Sequence, residues 1–421
     1  MNLWIRGGRL IDPANNTDTI TDLHIHDGKV VAIGPYDGTS ATVIDAKGLI
    51  VCPGFVDLSV SLRKQQKASV SAESRAAAAG GITSMCCLPD TSPVIDSSSA
   101  ATLVQDLAHQ AGFCNVWPIG ALTQGLAGSQ LSEMGTLKEA GCIGMSNLRQ
   151  PFENTRVLLR CLEYAASYNV MVFFNPVEHS LADDGCVHEG PFATRLGLKG
   201  VPETAETVAL TRDLLLVEQT GVRAHFGQLT CARSVDLIAN AQKRGLPVTA
   251  DVCIHHLLGT EADIQNFNSL NHIQPPLRTQ RDREALQRGV QDGIISAICS
   301  HHHPHPMSAK MAPFAATEPG ISTLDTLLPQ SLKLVENNVL TLTQMIERLT
   351  CGPAQAANLK SGSLAVGDIA DICIFDADED WLVSAETLNS SGHNTPLMGT
   401  ELRGRVKHTL LAGRQVYPLR S

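Results

Sequence analysis

Residues 81–122 read GITSMCCLPDTSPVIDSSSAATLVQDLAHQAGFCNVWPIGAL, in which two apolar runs enclose a helical stretch. Continuous apolar runs predict strands that are buried on both faces, and the stretch between them predicts a helix that follows the first strand. The same order of strand, loop and helix recurs down to GIISAICSHHHPHP (293–306). This repetition favours a closed (β/α)₈ barrel of the TIM type, here over residues 53–352, above an open parallel sheet.

Both ends of the chain have a different pattern, in which short apolar runs alternate with turn signals. Asp27-Gly28 lies between LHIH and KVVAIG and predicts a β-hairpin. Near the C terminus, GDIADICIFD and RVKHTLLAGRQVY have the same character. We therefore expect a small β-sandwich module that residues 1–52 and 353–421 build together, which makes the whole chain an α/β protein.

The composition limits the class of protein. Of the 421 residues, 43% are hydrophobic and 18% are charged, which is typical of a globular protein, and the net charge of −10 argues against general binding of nucleic acid or anionic membranes. The twelve cysteines show no repeated C-x-x-C spacing, and no apolar run is long enough to span a bilayer. We expect a cytoplasmic protein whose thiols are mostly buried.

In a barrel of this type, the functional side chains lie at the C-terminal ends of the strands. One such end, PGFVDLSVSLR (53–63), has two residues on one face, Ser59 and Ser61, where a metal site would have two histidines. The candidate positions are Ser59 and Ser61, 88–91, 146–148, 174–178, 226–230, 251–256 and 301–305.

Several longer motifs occur in order along nearly the whole chain. They are PGFVDL, LPDTSPVID, RLGLKGVPETAE, PPLRTQRDREAL, HPHP, GSLAVGDIADICIFD and HNTPLMGTELRGRVKHTLLAGRQVY. In these motifs the chain resembles the dihydroorotase family, which are amidohydrolases of pyrimidine synthesis. The resemblance implies the barrel fold that the strand pattern predicts.

The resemblance also implies where zinc ligands and a catalytic aspartate would lie. Active members use an H-x-H pair, an acidic or lysine bridge, two further histidines and an aspartate, since zinc chemistry needs neutral imidazoles and anionic oxygens. At the matching positions this chain has Ser59, Ser61, Asn147 followed by Leu148, Asn175, Gln228 and His301. We therefore expect a non-catalytic protein with no metal and no other cofactor, because this set would not hold the ion against water.

Relatives that lack these ligands imply a role for such a chain. Their implied partner is the catalytic chain of aspartate transcarbamoylase, the preceding enzyme of the pathway, with which they form a mixed complex. The prediction for this chain is thus a structural or regulatory subunit, and we also expect it to form a homo-oligomer.

A second set of positions matches the substrate pocket of active members. Arg63 matches an arginine that grips the substrate carboxylate, whereas Asp90 and Gln274 replace asparagines, and His305 completes this relict set in HPHP. Two interpretations stay open: the pocket retains an anionic ligand, or Arg63 is paired internally. The negative charge of Asp90 favours the second.

Two other hypotheses use the same strand ends. Only His301 and His303 of the histidine run share a strand face, so they are the candidates for a rebuilt metal site in a divergent amidohydrolase acting on a cyclic amide or ureide. Alternatively, Ser59 or Ser61 is a nucleophile with His301 as its base, which requires a third group to orient the histidine. No G-x-S-x-G motif accompanies these serines.

Overall fold

Strands and helices alternate along the chain much as the apolar runs predict. The computed structural model describes residues 2–35 and 42–418. Over these residues the strands are β1 (Asn2–Asp12), β2 (Thr17–His26), β3 (Lys29–Ile33), β4 (Thr42–Asp45), β5 (Ile50–Pro53), β6 (Phe55–Val60), β7 (Ile82–Cys87), β8 (Asn115–Ala121), β9 (Gly144–Ser146), β10 (Val172–Phe174), β11 (Val187–His188), β12 (Gly200–Val201), β13 (Ala224–Phe226), β14 (Val248–Cys253), β15 (Ala297–Cys299), β16 (Ile372–Leu382), β17 (Glu401–Leu411) and β18 (Arg414–Tyr417). The α-helices are α1 (Lys67–Ala79), α2 (Ser98–Ala111), α3 (Met134–Glu139), α4 (Thr155–Ser167), α5 (His179–Ala182), α6 (Pro191–Leu196), α7 (Thr204–Thr220), α8 (Ala232–Lys243), α9 (Ile254–Leu258), α10 (Gln280–Gln291), α11 (Leu327–Glu336), α12 (Leu342–Leu349) and α13 (Cys351–Ala356).

Eight parallel strands form the barrel in the order β6, β7, β8, β9, β10, β13, β14 and β15. The residues after β15 close it against the end of β6. The N–H of Ser61 donates to the carbonyl oxygen of His302 at 2.9 Å, and the N–H of His302 donates to that of Ser59 at 3.1 Å. The predicted (β/α)₈ barrel is confirmed, and its closure places residues 59–61 beside residues 301–303.

The terminal segments form a separate sheet, as predicted. Its strands pair in the order β18, β17, β16, β5, β1, β2 and β3, with β4 on β1. The predicted hairpin joins β2 to β3, and its turn residues Asp27 and Gly28 both have positive φ, at 48° and 78°. Apolar side chains from β1, β2 and β16 fill the core of this sheet, including Ile5, Ile25 and Ile374.

The terminal sheet is joined tightly to the barrel at Gly54, in the PGFVDL motif between β5 and β6. A Cβ atom at this position would lie 2.2 Å from the hydroxyl oxygen of Thr83 on β7, so only glycine fits. The N–H of Gly54 donates to the carbonyl oxygen of Asp371 at 2.8 Å. The start of the first barrel strand is therefore fixed by both parts of the chain.

The thiols and the helices agree with the expectations from composition. All twelve cysteines are buried and free, and Cys86 and Cys87 pack in the barrel with no exposed surface. Within residues 2–35 and 42–418, every helix falls short of the length and apolar content that crossing a bilayer requires.

Candidate functional site: the barrel mouth

Two predicted positions, Ser59 and Gln228, meet at the mouth of the barrel. Gln228 lies two residues after the end of β13, where its φ of 60° turns the backbone, and its N–H donates to the Asp251 carboxylate at 2.6 Å. Its side-chain nitrogen donates to the hydroxyl oxygen of Ser59 at 2.8 Å. Both side chains are buried, so this hydrogen bond replaces solvent for each of them.

Arg149 completes this network, although the sequence analysis did not select it. Its guanidinium donates to the side-chain oxygen of Gln228, so the chain Arg149–Gln228–Ser59 runs across the mouth. Burial, together with the positive charge of Arg278, lowers the pKa of Arg149 to about 10, so the guanidinium is still charged at neutral pH. We name these three residues the guanidinium network. The sequence signal that could have identified Arg149 is its position directly after the strand-end residues 146–148.

Two acidic groups, Asp251 and Asp57, lie near the network, and Asp251 is paired within the protein. The Asp251 carboxylate contacts His225 Nε2 at 3.0 Å and accepts from the Cys299 thiol at 3.4 Å. The other ring nitrogen of His225 contacts the Thr249 hydroxyl at 2.8 Å. Burial raises the pKa of Asp57 to about 6, although the N–H groups of Ser59 and Ser300 both donate to its Oδ1. Its Oδ2 is buried and has no partner in the described residues.

The space around this network is small. Ser59, Asn175, His225, Gln228 and Asp251 line a cavity of about 10 Å³, which is room for about one water molecule. Asn175 therefore lies close to the predicted positions Ser59 and Gln228. A metal ion with a bound substrate would have to displace side chains that are already hydrogen-bonded to one another.

Ser61 and the relict pocket residues also have partners inside the protein. The Ser61 hydroxyl donates to Asp90 at 3.4 Å, and burial raises the pKa of Asp90 to about 6 against the opposing effects of this hydrogen bond and of Arg63. Arg63 itself is exposed and donates to the carbonyl oxygen of Pro304 at 3.0 Å. Of the two interpretations of Arg63, this contact supports internal pairing.

The remaining predicted positions hold loops in place. The Asn147 side-chain oxygen accepts from the Thr123 hydroxyl at 2.6 Å, which ties the loops after β8 and β9 together. Gln274 donates to the carbonyl oxygen of Gly185 at 2.8 Å, and His305 Nε2 lies 3.1 Å from that of Pro319. The structure thus brings Ser59, Asn175 and Gln228 together and ties Asn147, Gln274 and His305 to neighbouring loops.

Five histidines form a continuous row along one side of the mouth. Their ring centroids are separated by 4.8 Å (His256 to His255), 5.8 Å (His255 to His301), 5.2 Å (His301 to His303) and 6.3 Å (His303 to His305). His301 and His303, the candidate pair for a rebuilt metal site, are thus in ring contact, and their role as ligands stays a prediction. Burial and the neighbouring cationic groups lower the pKa of His303 to about 3 and that of His301 well below its ordinary value, so both rings are neutral at pH 7.

The nucleophile hypothesis finds no support in these contacts. A serine nucleophile needs a histidine within hydrogen-bond reach of its hydroxyl. In the part of the chain that the structure describes, Ser59 bonds to Gln228 and Ser61 bonds to Asp90, and neither hydroxyl bonds to a histidine.

His302 points away from the row and forms a second buried network with Glu73 of α1. Its Nδ1 accepts from the N–H of Thr323 at 3.0 Å, which leaves Nε2 to donate to the Glu73 carboxylate at 2.8 Å. The same carboxylate accepts from Ser390 at 2.7 Å and from Ser391. Burial opposes ionisation of Glu73, but these hydrogen bonds outweigh it and lower its pKa to about 2. The segment after β15, helix α1 and the C-terminal segment are therefore held together at one carboxylate.

Comparison with known proteins identifies the lineage of this site. Residues 48–233 match the model of the dihydro-orotase-like family. A dihydroorotase-like protein from Pseudomonas aeruginosa is 51% identical over 418 residues, which are 98% of this chain and 99% of that protein. The chain belongs to the dihydroorotase-like family. A protein named dihydroorotase from Pelobacter propionicus is 40% identical over 99% of this chain and 100% of its own length.

A solved structure supports the fold of this dihydroorotase-like chain. The L-hydantoinase (dihydropyrimidinase) from Arthrobacter aurescens superposes with a TM-score of 0.87 over 98% of this chain and 95% of its own. Its sequence is 23% identical, so the similarity concerns the fold alone.

The residues of the mouth do not fit the zinc centre that the dihydroorotase resemblance implies. The matching positions offer the hydroxyls of Ser59 and Ser61 and the amide of Gln228, which are poor zinc ligands. Moreover, the guanidinium of Arg149 already bonds to Gln228, so a positive charge lies where a dication would bind. Ligand chemistry and local charge both disagree with a bound zinc ion here.

Proposed function

We propose that this dihydroorotase-like chain is non-catalytic and serves as a structural or regulatory subunit for aspartate transcarbamoylase in pyrimidine biosynthesis. The guanidinium network is the observation that supports the first half of this proposal, that the chain is non-catalytic. A cationic side chain, an amide and a hydroxyl are hydrogen-bonded to one another at the positions where the family resemblance implies zinc and its ligands. These groups do not supply the ligands that would hold an ion to polarise an amide or to activate a water.

The second half rests on what the chain retains. The barrel and the terminal sheet are both complete. A protein that has lost its catalytic activity is expected to keep its fold and its surface if another protein binds to that surface. Apolar side chains are available on the outside of the barrel: Val208 and Leu215 of α7 are 47% and 59% exposed, and their seven-residue spacing puts them on one helix face. The resemblance to ligand-less relatives supplies the identity of the partner.

Restoring the first histidine pair tests the non-catalytic half. We expect that Ser59→His together with Ser61→His gives no dihydroorotase activity, because Asn147, Asn175 and Gln228 still lack ligand groups and Arg149 keeps its charge in the mouth. The measurement is hydrolysis of dihydroorotate by the purified variant with added zinc, beside the dihydroorotase from Pelobacter propionicus as the active control. Zinc-dependent turnover by the double variant would contradict the proposal.

The histidine row favours a second candidate function. His301 and His303 are neutral and in ring contact, so they offer the donors of a divergent amidohydrolase that acts on a cyclic amide or ureide. This candidate requires metal-dependent turnover of such compounds by the unmodified protein, and loss of that turnover in His301→Asn. Absence of turnover with zinc, manganese or cobalt would remove it.

A further inference from the structure

The strongest cluster of metal-binding groups lies within one of the candidate strand ends, residues 251–256, where it adds Cys253 to two histidines that could approach across the barrel mouth. Sequence alone predicts no resident metal, with His301 and His303 as the alternative pair. In the structure, three residues each offer one ligand atom, and these atoms lie within 4.8 Å of one another. The residues are Cys253 at the end of β14 and His255 and His256 at the start of α9. We propose that Cys253, His255 and His256 form a zinc-binding site.

The histidines of this cluster have nitrogen atoms that the protein leaves without partners. Both ring nitrogens of His255 are buried and unpaired in the described part of the chain, as is Nδ1 of His256. Buried polar atoms are hydrogen-bonded in nearly all cases, so a group of unpaired ones in one place calls for a ligand. An imidazole has one nitrogen with a free lone pair, and a metal ion satisfies that atom.

His256 is oriented for this role by its second nitrogen. Its Nε2 lies 3.1 Å from the carbonyl oxygen of Pro275, an acceptor only, so Nε2 carries the proton and donates it. Nδ1, which is buried and without a partner in the described part of the chain, then keeps its lone pair for a ligand. This arrangement, in which a backbone carbonyl holds the far nitrogen of a metal-binding imidazole, is the usual way that proteins fix the ring and its tautomer.

The donor set indicates which metal fits. One thiolate and two imidazoles are ligands that zinc accepts at about 2.3 Å from sulfur and 2.0–2.1 Å from nitrogen, with a fourth position left for water. On binding, the Cys253 thiol loses its proton to solvent and a zinc–sulfur bond forms. The thiolate and nearby Asp251 supply negative charge, which matters because Arg149 and Arg278 are also close to these rings.

A cavity adjoins the cluster. It has a volume of about 550 Å³ and is lined by His255 together with Asp263, Gln330 and Lys333, whereas the residues of the guanidinium network do not line it. The inference is independent of the proposed function, because zinc at Cys253 does not restore the ligands missing from the barrel mouth.

Cobalt is the probe for this proposal, because a cobalt–thiolate bond adds a charge-transfer absorption in the near ultraviolet. Chelator-treated protein, kept reduced, is titrated with Co²⁺ and then with Zn²⁺. We expect one equivalent of Co²⁺ to bind with this absorption, and zinc to displace it. Cys253→Ser should abolish the absorption, and Cys253→Ser, His255→Asn and His256→Asn should each weaken zinc binding at least tenfold.

Matched variants make the result decisive. Cys161→Ser replaces another buried cysteine, on α4, and should keep both the absorption and the affinity. Circular dichroism of the metal-free variants checks that they fold, and if Cys253→Ser does not fold, the two histidine variants decide the outcome. The proposal is overturned if the unmodified protein binds no metal, if Cys253→Ser keeps the absorption, or if binding is lost in His303→Asn but not in the cluster variants.

Discussion

Replacement of Glu73 by alanine is expected to lower the free energy of unfolding by about 3–5 kcal/mol, because it removes one partner of a buried, charge-assisted network. The Glu73 and His302 side chains have no exposed surface, and the carboxylate also accepts from Ser390 and Ser391. Without it, the buried His302 ring and Ser390 hydroxyl, and also the N–H and hydroxyl of Ser391, lose their acceptor at once. Urea unfolding of the purified variant measures the change.

Glu73→Gln is the matched control, since it keeps the shape and one acceptor oxygen, and we expect a smaller loss. The difference in stability between wild type and Glu73→Gln should also depend on pH. The pKa of Glu73 is about 2 in the folded protein against an ordinary value of 4.5, so its ionised form favours folding above pH 4.5. This contribution should decline as the pH falls from about 4.5 to about 2. An alanine variant as stable as wild type would show that the network does not hold α1, the end of β15 and the C-terminal segment together.

Deletion of this protein from the cell is expected to remove most of the aspartate transcarbamoylase activity, or to reduce the size of its complex. The reason is that an assembly subunit acts through surface, commonly about 800 Å² per partner. The histidines of the barrel mouth are recessed, His301 being 5% exposed. A gene carrying His301→Asn and His303→Asn should therefore restore transcarbamoylase activity to the wild-type level in the deletion strain.

The complementation separates pocket from surface only if the double variant is present at normal levels, which an immunoblot establishes. If the folded double variant fails to complement, the pocket itself is needed and the proposed division is wrong. If deletion leaves the size and the activity of transcarbamoylase unchanged, the retained surface serves a different partner.

The fold was predictable from sequence because its signals are local. An apolar run such as residues 81–89 indicates a strand buried on both faces, and Asp27-Gly28 indicates a tight turn. Both signals are independent of residues elsewhere in the chain. The ends of the barrel strands followed from the same pattern, so Ser59, Gln228 and His301 were found in advance. His301 and His303 are in ring contact, but the two-residue period of a strand is not the reason, because β15 ends at Cys299 and His301 has a φ of 49°.

The parts that sequence could not supply depend on distant residues. Arg149 enters the mouth because its side chain reaches Gln228, 79 positions away, and no local pattern encodes that distance. Glu73 lies in an alanine-rich helix, and its partners are 229 and 317 positions away. For Cys253, His255 and His256 the sequence shows adjacency, whereas the unpaired ring nitrogens are visible only once the surrounding carbonyls and cavity are in place.

The most direct measurement of the central claim is native purification. The chain, tagged at its chromosomal gene, is purified from cell extract under mild conditions, and its companions are identified and the complex is sized. We predict that the aspartate transcarbamoylase catalytic chain co-purifies in a fixed ratio, in a complex that shows transcarbamoylase activity and no dihydroorotase activity attributable to this chain. A tagged chain that elutes without transcarbamoylase, or that hydrolyses dihydroorotate by itself, would contradict the account.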